Sequence, residues 1–141
     1  MQGAFMDEDI VVWGDAYSVG LPNIDEQHKK LVVMINDLFQ ACKEEGASKT
    51  AAFARAFSKA ADYTQTHFRE EEEFLENAGY PDLPAHKVEH KAFVDEIWAQ
   101  FGKFKEGNTT PLGLPRFLKS WLLNHIAIKD KKYAAFILGQ R

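Results

Sequence analysis

Two pairs of polar side chains, three imidazoles and one carboxylate in all, constrain the fold of this chain most strongly, because each pair has a spacing of four residues. His67 and Glu71 form the first pair, and His86 and His90 form the second. Residues four apart lie on the same face of an α-helix, one turn above the other. The sequence Gly-Tyr-Pro-Asp-Leu-Pro at 79–84 interrupts the chain between the pairs. The spacing therefore predicts two helices, joined by a tight turn, that direct both pairs towards one point.

Length and composition exclude several classes of protein. The chain has 141 residues, of which 45% are hydrophobic, so we expect one domain over 1–141 with a sizeable core. A net charge of −4 and the lack of a basic run argue against nucleic acid as a partner. The apolar run Leu31–Ile35 is too short to span a bilayer, so no membrane insertion is expected.

The chain shows no sign of export. Its first residues, Met-Gln-Gly-Ala-Phe-Met-Asp-Glu-Asp, have neither a basic start nor the apolar core of a signal peptide. One cysteine, Cys42, cannot form a disulfide within the chain. We therefore expect a cytoplasmic protein in a reducing environment.

Hydrophobic periodicity predicts an all-α fold, an antiparallel up-down-up-down four-helix bundle with an ordered non-helical N-terminal arm. The arm covers about 1–23, and Trp13 is expected to pack against the helices. The predicted helices run from about Ile24 to Glu45 before Gly46, from Ser48 or Thr50 to the residue before Gly79, from Pro84 to about Lys105, and from between Pro111 and Pro115 to about 138.

The apolar stripe of the second helix contains His67, Glu71 and Phe74. It passes through the acidic run 70–73, which would otherwise be read as a solvated surface. Helical phase separates the members of this run: Glu71 lies on the stripe, Glu70 lies at its border, and the next two glutamates point away.

The fourth helix loses its phase after His125. A regular helix would next turn Lys129 and Lys132 inward, whereas a slip of one residue turns Asp130 and Tyr133 inward instead. We therefore predict a π-type bulge or a similar irregularity between His125 and Asp130. Such bulges are frequent at functional sites.

All five histidines fall on stripes that face the core. A single histidine in such a position is usually a hydrogen-bonded core residue. A core-facing stripe covers roughly 3/7 of helical positions, so five of five by chance has a probability on the order of 1%. Burying five imidazoles and two carboxylates without partners would also be costly. A shared metal site removes most of that cost, so it is the favoured interpretation.

The number of candidate ligands indicates two metal ions. Seven ligands are too many for one zinc ion, which is usually four-coordinate. If both carboxylates and one solvent-derived oxygen bridge two metals, three histidines complete six ligands on one metal. Two histidines give five ligands on the other metal, which leaves one position open for a small ligand. The candidates are His28, His67, Glu71, His86, His90, His125 and Asp130.

These motifs resemble the hemerythrin family in its single-domain bacterial form, bacteriohemerythrin. The resemblance extends from Trp13 to Tyr133 and includes the sequence Val-Gly-Leu-Pro-Asn-Ile-Asp-Glu-Gln-His at 19–28. It also includes His67-x-x-x-Glu71, Tyr80-Pro81, His86-x-x-x-His90 and His125-x-x-x-x-Asp130. The resemblance implies a non-haem centre of two iron ions (Fe2+/Fe3+) with a bridging oxo or hydroxo group.

The family pattern also implies a role for each ligand. His86, His90 and His125 would bind the saturated iron, and His28 and His67 the iron with the open position. Glu71 and Asp130 would bridge the two irons. O2 would bind reversibly, end-on as hydroperoxide, at the open iron. The surrounding pocket of the family corresponds to five positions here, which would keep water out: Leu31, Phe68, Trp121, Leu122 and Tyr133.

Two other functions remain as alternatives to O2 storage, transport or delivery. One is a di-iron oxidase or peroxidase of the ferritin-like type, which uses mostly carboxylates and paired Glu-x-x-His motifs. No such motif aligns with the stripes here, so at most a weak side activity is expected. The other is an O2 or redox sensor that acts through a partner. NO, small anions and a protein recipient of O2 are further candidate partners.

Overall fold

A computed structural model of the chain describes residues 10–43, 48–107 and 113–139. Within these residues the regular structure is helical, and no helix is long and apolar enough to cross a membrane. The elements of the bundle are α1 (Pro22–Ala41), α2 (Ser48–Ala78), α3 (Leu83–Lys105), α4 (Gly113–Asn124), a π-helical segment (His125–Asp130) and α5 (Lys131–Gly139).

The last three elements follow one another without a break and form the fourth helix of the bundle. Around the bundle, α1 packs against α2, α2 against α3, and α4 against both α3 and α1. Short connections make sequential neighbours antiparallel. The predicted all-α four-helix bundle is therefore confirmed.

The turn between α2 and α3 has a defined geometry. Gly79 follows the last residue of α2 with φ of 74°, a left-handed conformation that glycine adopts without steric cost. The N–H of Tyr80 donates to the carbonyl of Leu75 at 3.0 Å, which satisfies a free carbonyl at the helix end. Pro84 then lies in the first turn of α3, where its missing N–H costs nothing. This turn brings the two four-residue pairs side by side.

The observed helix ends differ from the predicted ones chiefly in α1. It ends at Ala41, before the predicted Glu45, because the N–H of Lys43 bonds to the carbonyl of Gln40 at 2.9 Å and tightens the last turn. The predicted stop at Gly46, the expected end at Glu45 and the possible helix start at Pro111 lie outside the described residues.

One residue that was predicted to lie on the core-facing stripe of α2 does not face the core. Phe74 is 38% exposed, whereas Leu75 is fully buried. At about 100° per residue, Phe74 lies about 60° to one side of Glu71 and Leu75 about 40° to the other. The residue nearer to the line through Glu71 is therefore the one that faces the core.

The N-terminal arm is ordered and non-helical over its described part, 10–21, apart from a 3-10 turn at Asp15–Tyr17. The side chain of buried Asn36 holds it by pairing with both backbone groups of Val11, at 3.0 and 2.8 Å. A second attachment joins Asp25 to the hydroxyl of Ser18, at 2.6 Å. Trp13 is half-buried against the core, so it packs at the edge of the helices.

Candidate metal centre

Each of the four helices of the bundle contributes at least one of the seven predicted ligands. The structure brings all seven together, and each is at most 4% exposed. α1 contributes one, α2 and α3 contribute two each, and the π-helical segment contributes its first and last residues. In that order they are His28, His67, Glu71, His86, His90, His125 and Asp130.

The π-helical segment explains how a spacing of five serves one site. In a regular α-helix, residues five apart are separated by about 140° around the axis. The wider π turn places His125 and Asp130 on the same face, and both are buried. Lys129 and Lys132 keep 48% and 66% of their side-chain surface exposed. The predicted irregularity between His125 and Asp130 is therefore confirmed.

Glu71 lies at the middle of the cluster and divides it into two halves. Its Oε1 lies 3.2 Å from Nε2 of His86 and 3.1 Å from Nε2 of His90. Its Oε2 lies 3.4 Å from Nε2 of His67 and 3.7 Å from Nε2 of His28. One carboxylate thus presents one oxygen to each half.

Asp130 repeats this division from the opposite side. Its Oδ1 lies 3.2 Å from Nε2 of His86 and 3.0 Å from Nε2 of His125. Its Oδ2 lies 3.1 Å from Nε2 of His28. Three histidines and two carboxylate oxygens therefore form one half of the cluster, and two histidines and two carboxylate oxygens form the other. We call these the three-histidine half and the two-histidine half.

The donor atoms fit two metal ions. Four of them, from Glu71, His86, His90 and His125, lie within 4.8 Å of one another, and so do three from His28, His67 and Glu71. The two groups share Glu71. Imidazole nitrogens and carboxylate oxygens suit first-row transition metals such as iron.

Unsatisfied atoms support this fit. Among the described residues, Nε2 of His28 and Oδ1 of Asp130 are buried and make no hydrogen bond. The Nε2 atoms of His90 and His125 face each other at 3.1 Å. Buried polar atoms without partners are costly, and a cation between these donors would supply the missing partner.

The pKa values of the cluster show mutual stabilisation of opposite charges. Burial raises the pKa of the Glu71 carboxyl, but close contacts with the imidazoles of four histidines outweigh it and lower the pKa well below its usual value. Burial and the nearby Glu71 raise the pKa of Asp130, yet contacts with His125 and His28 bring about a net lowering. Both carboxylates are therefore ionised at neutral pH, as bridging ligands must be.

The same contacts raise the pKa values of two histidines. Burial lowers the pKa of His28, but the neighbouring Asp130 and Glu71 raise it to about 9. The same two carboxylates outweigh burial at His86 and raise its pKa to about 9. Without a metal these imidazoles are protonated at neutral pH, so a metal ion would replace positive charge that the site already requires.

Three of the histidines turn Nε2 towards the cluster and Nδ1 away from it. The neighbours of these outward Nδ1 atoms were not predicted from the sequence. Nδ1 of His90 hydrogen-bonds Oε2 of Glu72 at 2.8 Å, and Nδ1 of His125 lies 3.4 Å from Oε1 of Glu89. Nδ1 of His67 makes a short hydrogen bond with the side-chain oxygen of Gln27. Hydrophobic periodicity could not reveal Gln27, Glu72 and Glu89 as neighbours, because these half-buried residues lie beside the core-facing stripes and not on them.

The five predicted pocket residues divide into two roles. Leu31, Phe68, Trp121 and Leu122 help to line an apolar cavity of about 20 Å³ between the helices. Such a volume holds one water-sized molecule. Tyr133 does not line this cavity. It is fully buried, and its hydroxyl donates a hydrogen bond to Oε2 of Glu71 at 2.7 Å.

Comparisons with known proteins agree with this geometry. Residues 19–137 match the family model "Hemerythrin HHE cation binding domain". The bacteriohemerythrin of Stenotrophomonas maltophilia is 35% identical over 89% of this chain and 80% of that protein. The bacteriohemerythrin of Pseudomonas aeruginosa strain PAO1 is 37% identical over 87% of this chain and 78% of that protein.

Solved structures give the same result. The crystal structure of wild-type hemerythrin superposes with a TM-score of 0.80 at 30% identity, covering 89% of this chain and 95% of that one. Both the family model and these relatives cover most of the chain. The chain therefore belongs to the hemerythrin family, whose members bind O2 at a centre of two iron ions.

Proposed function

We propose that this chain binds O2 reversibly and that its seven clustered side chains hold the two iron ions. The observation that carries this proposal is the division of each carboxylate between the two halves of the cluster. Glu71 and Asp130 each present one oxygen to the three-histidine half and the other to the two-histidine half. This is the arrangement that two bridging ligands require.

We assign the two irons to the two halves. His86, His90 and His125 would saturate one iron together with the bridges. His28 and His67 would leave one position open on the other. The apolar cavity is lined by Leu31, one turn after His28 on α1, and also by Phe68 and Trp121, which stack on His90 and His125. The assignment of the open position therefore rests on the number of histidines in each half.

When bound, the iron pair supplies the electrons and the open position with which O2 is held. The protein itself supplies orientation and exclusion of water. Tyr133 fixes the direction of Glu71 by its hydrogen bond. Burial and the nearby Glu71 raise the pKa of Tyr133, so its hydroxyl remains a neutral donor. Phe68 stacks on the imidazole of His90 with ring centroids 3.7 Å apart and shields it from solvent.

The donor set supports binding rather than an enzymatic role. Imidazoles outnumber carboxylates five to two, a balance that stabilises ferrous iron more than a carboxylate-rich site does. We therefore propose storage, transport or delivery of O2 within one hemerythrin-like domain. NO and small anions would compete for the same open position, and a protein recipient would receive the O2. Cys42 is buried and is not part of a disulfide in the described structure, which suits the reducing cytoplasm.

One sample tests the proposal. The iron-loaded protein is reduced without air, and its visible spectrum is recorded before air, after air, and after the air is removed. We expect a colourless reduced form that gains a ligand-to-iron charge-transfer band in air and loses it on deoxygenation. A band that decays to a ferric spectrum would favour an oxidase or sensor. Absence of iron after reconstitution would contradict the metal centre itself.

A further inference from the structure

The neighbours of the outward histidine nitrogens differ between the two halves of the centre. Glu72 accepts a hydrogen bond from His90, and Glu89 lies beside His125, so carboxylates stand behind two imidazoles of the three-histidine half. In the two-histidine half, the neutral amide of Gln27 partners His67. Nδ1 of His28 and Nδ1 of His125 are both buried without a hydrogen bond among the described residues. They differ in that His125 has the carboxylate of Glu89 at 3.4 Å.

This difference has an electronic consequence. A carboxylate that accepts the Nδ1 proton of a histidine makes that imidazole a stronger electron donor to a metal. Stronger donation stabilises ferric over ferrous iron and so lowers the reduction potential. An amide oxygen orients the ring in the same way but adds no negative charge. Two irons held by these histidines would therefore experience different electrostatic fields, although both would have histidine ligands.

The carboxylates of Glu72 and Glu89 are not equivalent. Glu72 bonds to His90 at 2.8 Å and has no other partner in the described structure. Glu89 lies farther from His125, at 3.4 Å, and also pairs with Nζ of Lys129 at 3.3 Å. The π-helical segment turns Asp130 inward and Lys129 outward. The ammonium group of Lys129 therefore lies beside Glu89 and partly offsets its negative charge.

We propose that Glu72 and Glu89 set the potential of the iron pair by placing negative charge behind the three-histidine half, while Gln27 adds no charge behind the two-histidine half. The inference rests on the proposed di-iron function. These three are positioning residues, because they act on iron only through histidines. Their arrangement stabilises ferric iron at the saturated position. It favours ferrous iron at the open position, which is the state able to bind O2.

Substitutions between glutamate and glutamine test this directly, because they change charge with almost no change in shape. The midpoint potential of the iron pair is measured by mediated spectroelectrochemistry on protein shown by metal analysis to hold two irons. We expect Glu72→Gln to raise the potential by the equivalent of at least a tenfold change in the ferric-to-ferrous affinity ratio. That is about 59 mV for a one-electron couple.

The shift in potential of the other variants should depend on where each one adds or removes charge. Glu89→Gln should raise the potential by less than Glu72→Gln, since Lys129 already offsets that charge. Lys129→Gln should lower the potential by releasing Glu89. Gln27→Glu should lower it by adding charge behind His67. Glu73→Gln is the matched control on α2, because Glu73 is exposed and contacts no ligand, and it should leave the potential unchanged.

A purely mechanical role predicts a different pattern. Glutamine still offers an oxygen to His90, so Glu72→Gln would then keep the wild-type potential, and Glu72→Ala alone would weaken metal binding. Equal potentials in iron-loaded wild-type, Glu72→Gln and Gln27→Glu proteins would overturn the inference. Wild-type protein that binds no iron would instead contradict the proposed function.

A second measurement covers the case in which a variant fails to load iron. The affinity of the metal-free protein for Co2+ is measured by its visible absorption. We expect Glu72→Ala to weaken Co2+ binding by about 10- to 100-fold, the usual effect of removing such a partner. Glu72→Gln should weaken it less. Identical Co2+ affinities in wild-type and both variants would count against any contribution of Glu72 to the centre.

Discussion

The hydroxyl of Tyr133 donates a hydrogen bond of 2.7 Å to Oε2 of Glu71, across 62 positions of sequence. Both residues are almost completely buried. The bond links α5 to the carboxylate that divides the centre, and it selects the oxygen that faces the two-histidine half. Tyr133 thus acts on the bridging carboxylate and not on the apolar cavity.

Tyr133→Phe removes this donor and keeps the ring. A hydrogen bond to a charged group contributes about 1.5–3 kcal/mol, so we expect a loss of that size in the free energy of unfolding of the metal-free protein. Urea denaturation followed by circular dichroism measures it. Tyr63→Phe is the control, because Tyr63 is half-buried at the bundle surface. Equal stability of both variants would show that the Tyr133 hydroxyl contributes nothing.

Leu122→Ala should speed the conversion of the O2-bound protein to the ferric form. Leu122 lines the small apolar cavity, and its truncation opens space through which water can approach the centre. The decay of the visible band in air measures this rate. Leu38→Ala is the matched control, since Leu38 is fully buried but does not line the cavity. Each truncation should cost about 2–5 kcal/mol of stability, but only Leu122→Ala should change the rate.

Deleting Ile128 tests the role of the π-helical segment. Ile128 is 60% exposed, and its removal leaves His125 and Asp130 four residues apart, a spacing that a regular α-helix places on one face. We expect the shortened protein to retain two irons, as measured by metal analysis. Deleting the exposed Asn124 instead rotates His125 by about 100° relative to Leu122 and should reduce iron binding. Loss of iron in both variants would show that the bulge itself is required.

The stability of the metal-free protein should fall as pH rises from neutral to alkaline. The pKa values of His28 and His86 are raised from 6.5 to about 9 by the two carboxylates. Their stabilising contribution is complete below pH 6.5, where the unfolded histidines are also protonated, and is lost as pH rises through about 9. Urea midpoints between pH 6 and pH 10 measure the loss, which should be on the order of a few kcal/mol.

Two controls define this pH effect. His86→Gln should flatten the alkaline decline, because it removes one of the two responsible groups. The iron-loaded protein should also show little decline, since its imidazoles are already neutral ligands. An equally steep decline in the His86→Gln protein would assign the effect to other groups.

Much of the candidate site was predictable because helical periodicity is a local property. His67 and Glu71 share a face wherever α2 is placed, and so do His86 and His90 on α3. The phase slip between His125 and Asp130 was also visible in sequence, since it changes which side of one helix is apolar. Phe74 and Leu75 show the limit: they lie about 60° and 40° on either side of Glu71, so the pattern admitted both, and the structure buries the one nearer to that line.

The sequence by itself determined the four-helix architecture, the seven clustered side chains and the irregular fourth helix, because each depends on spacing within a single helix. Only the tertiary structure decided which carboxylate oxygen faces which half, and that Tyr133 bonds to Glu71. It also decided the partners of the outward nitrogens, from Glu72 behind His90 to Gln27 behind His67, which lie 18 and 40 positions apart in sequence. Such contacts depend on how whole helices pack side by side, and no local pattern encodes that packing.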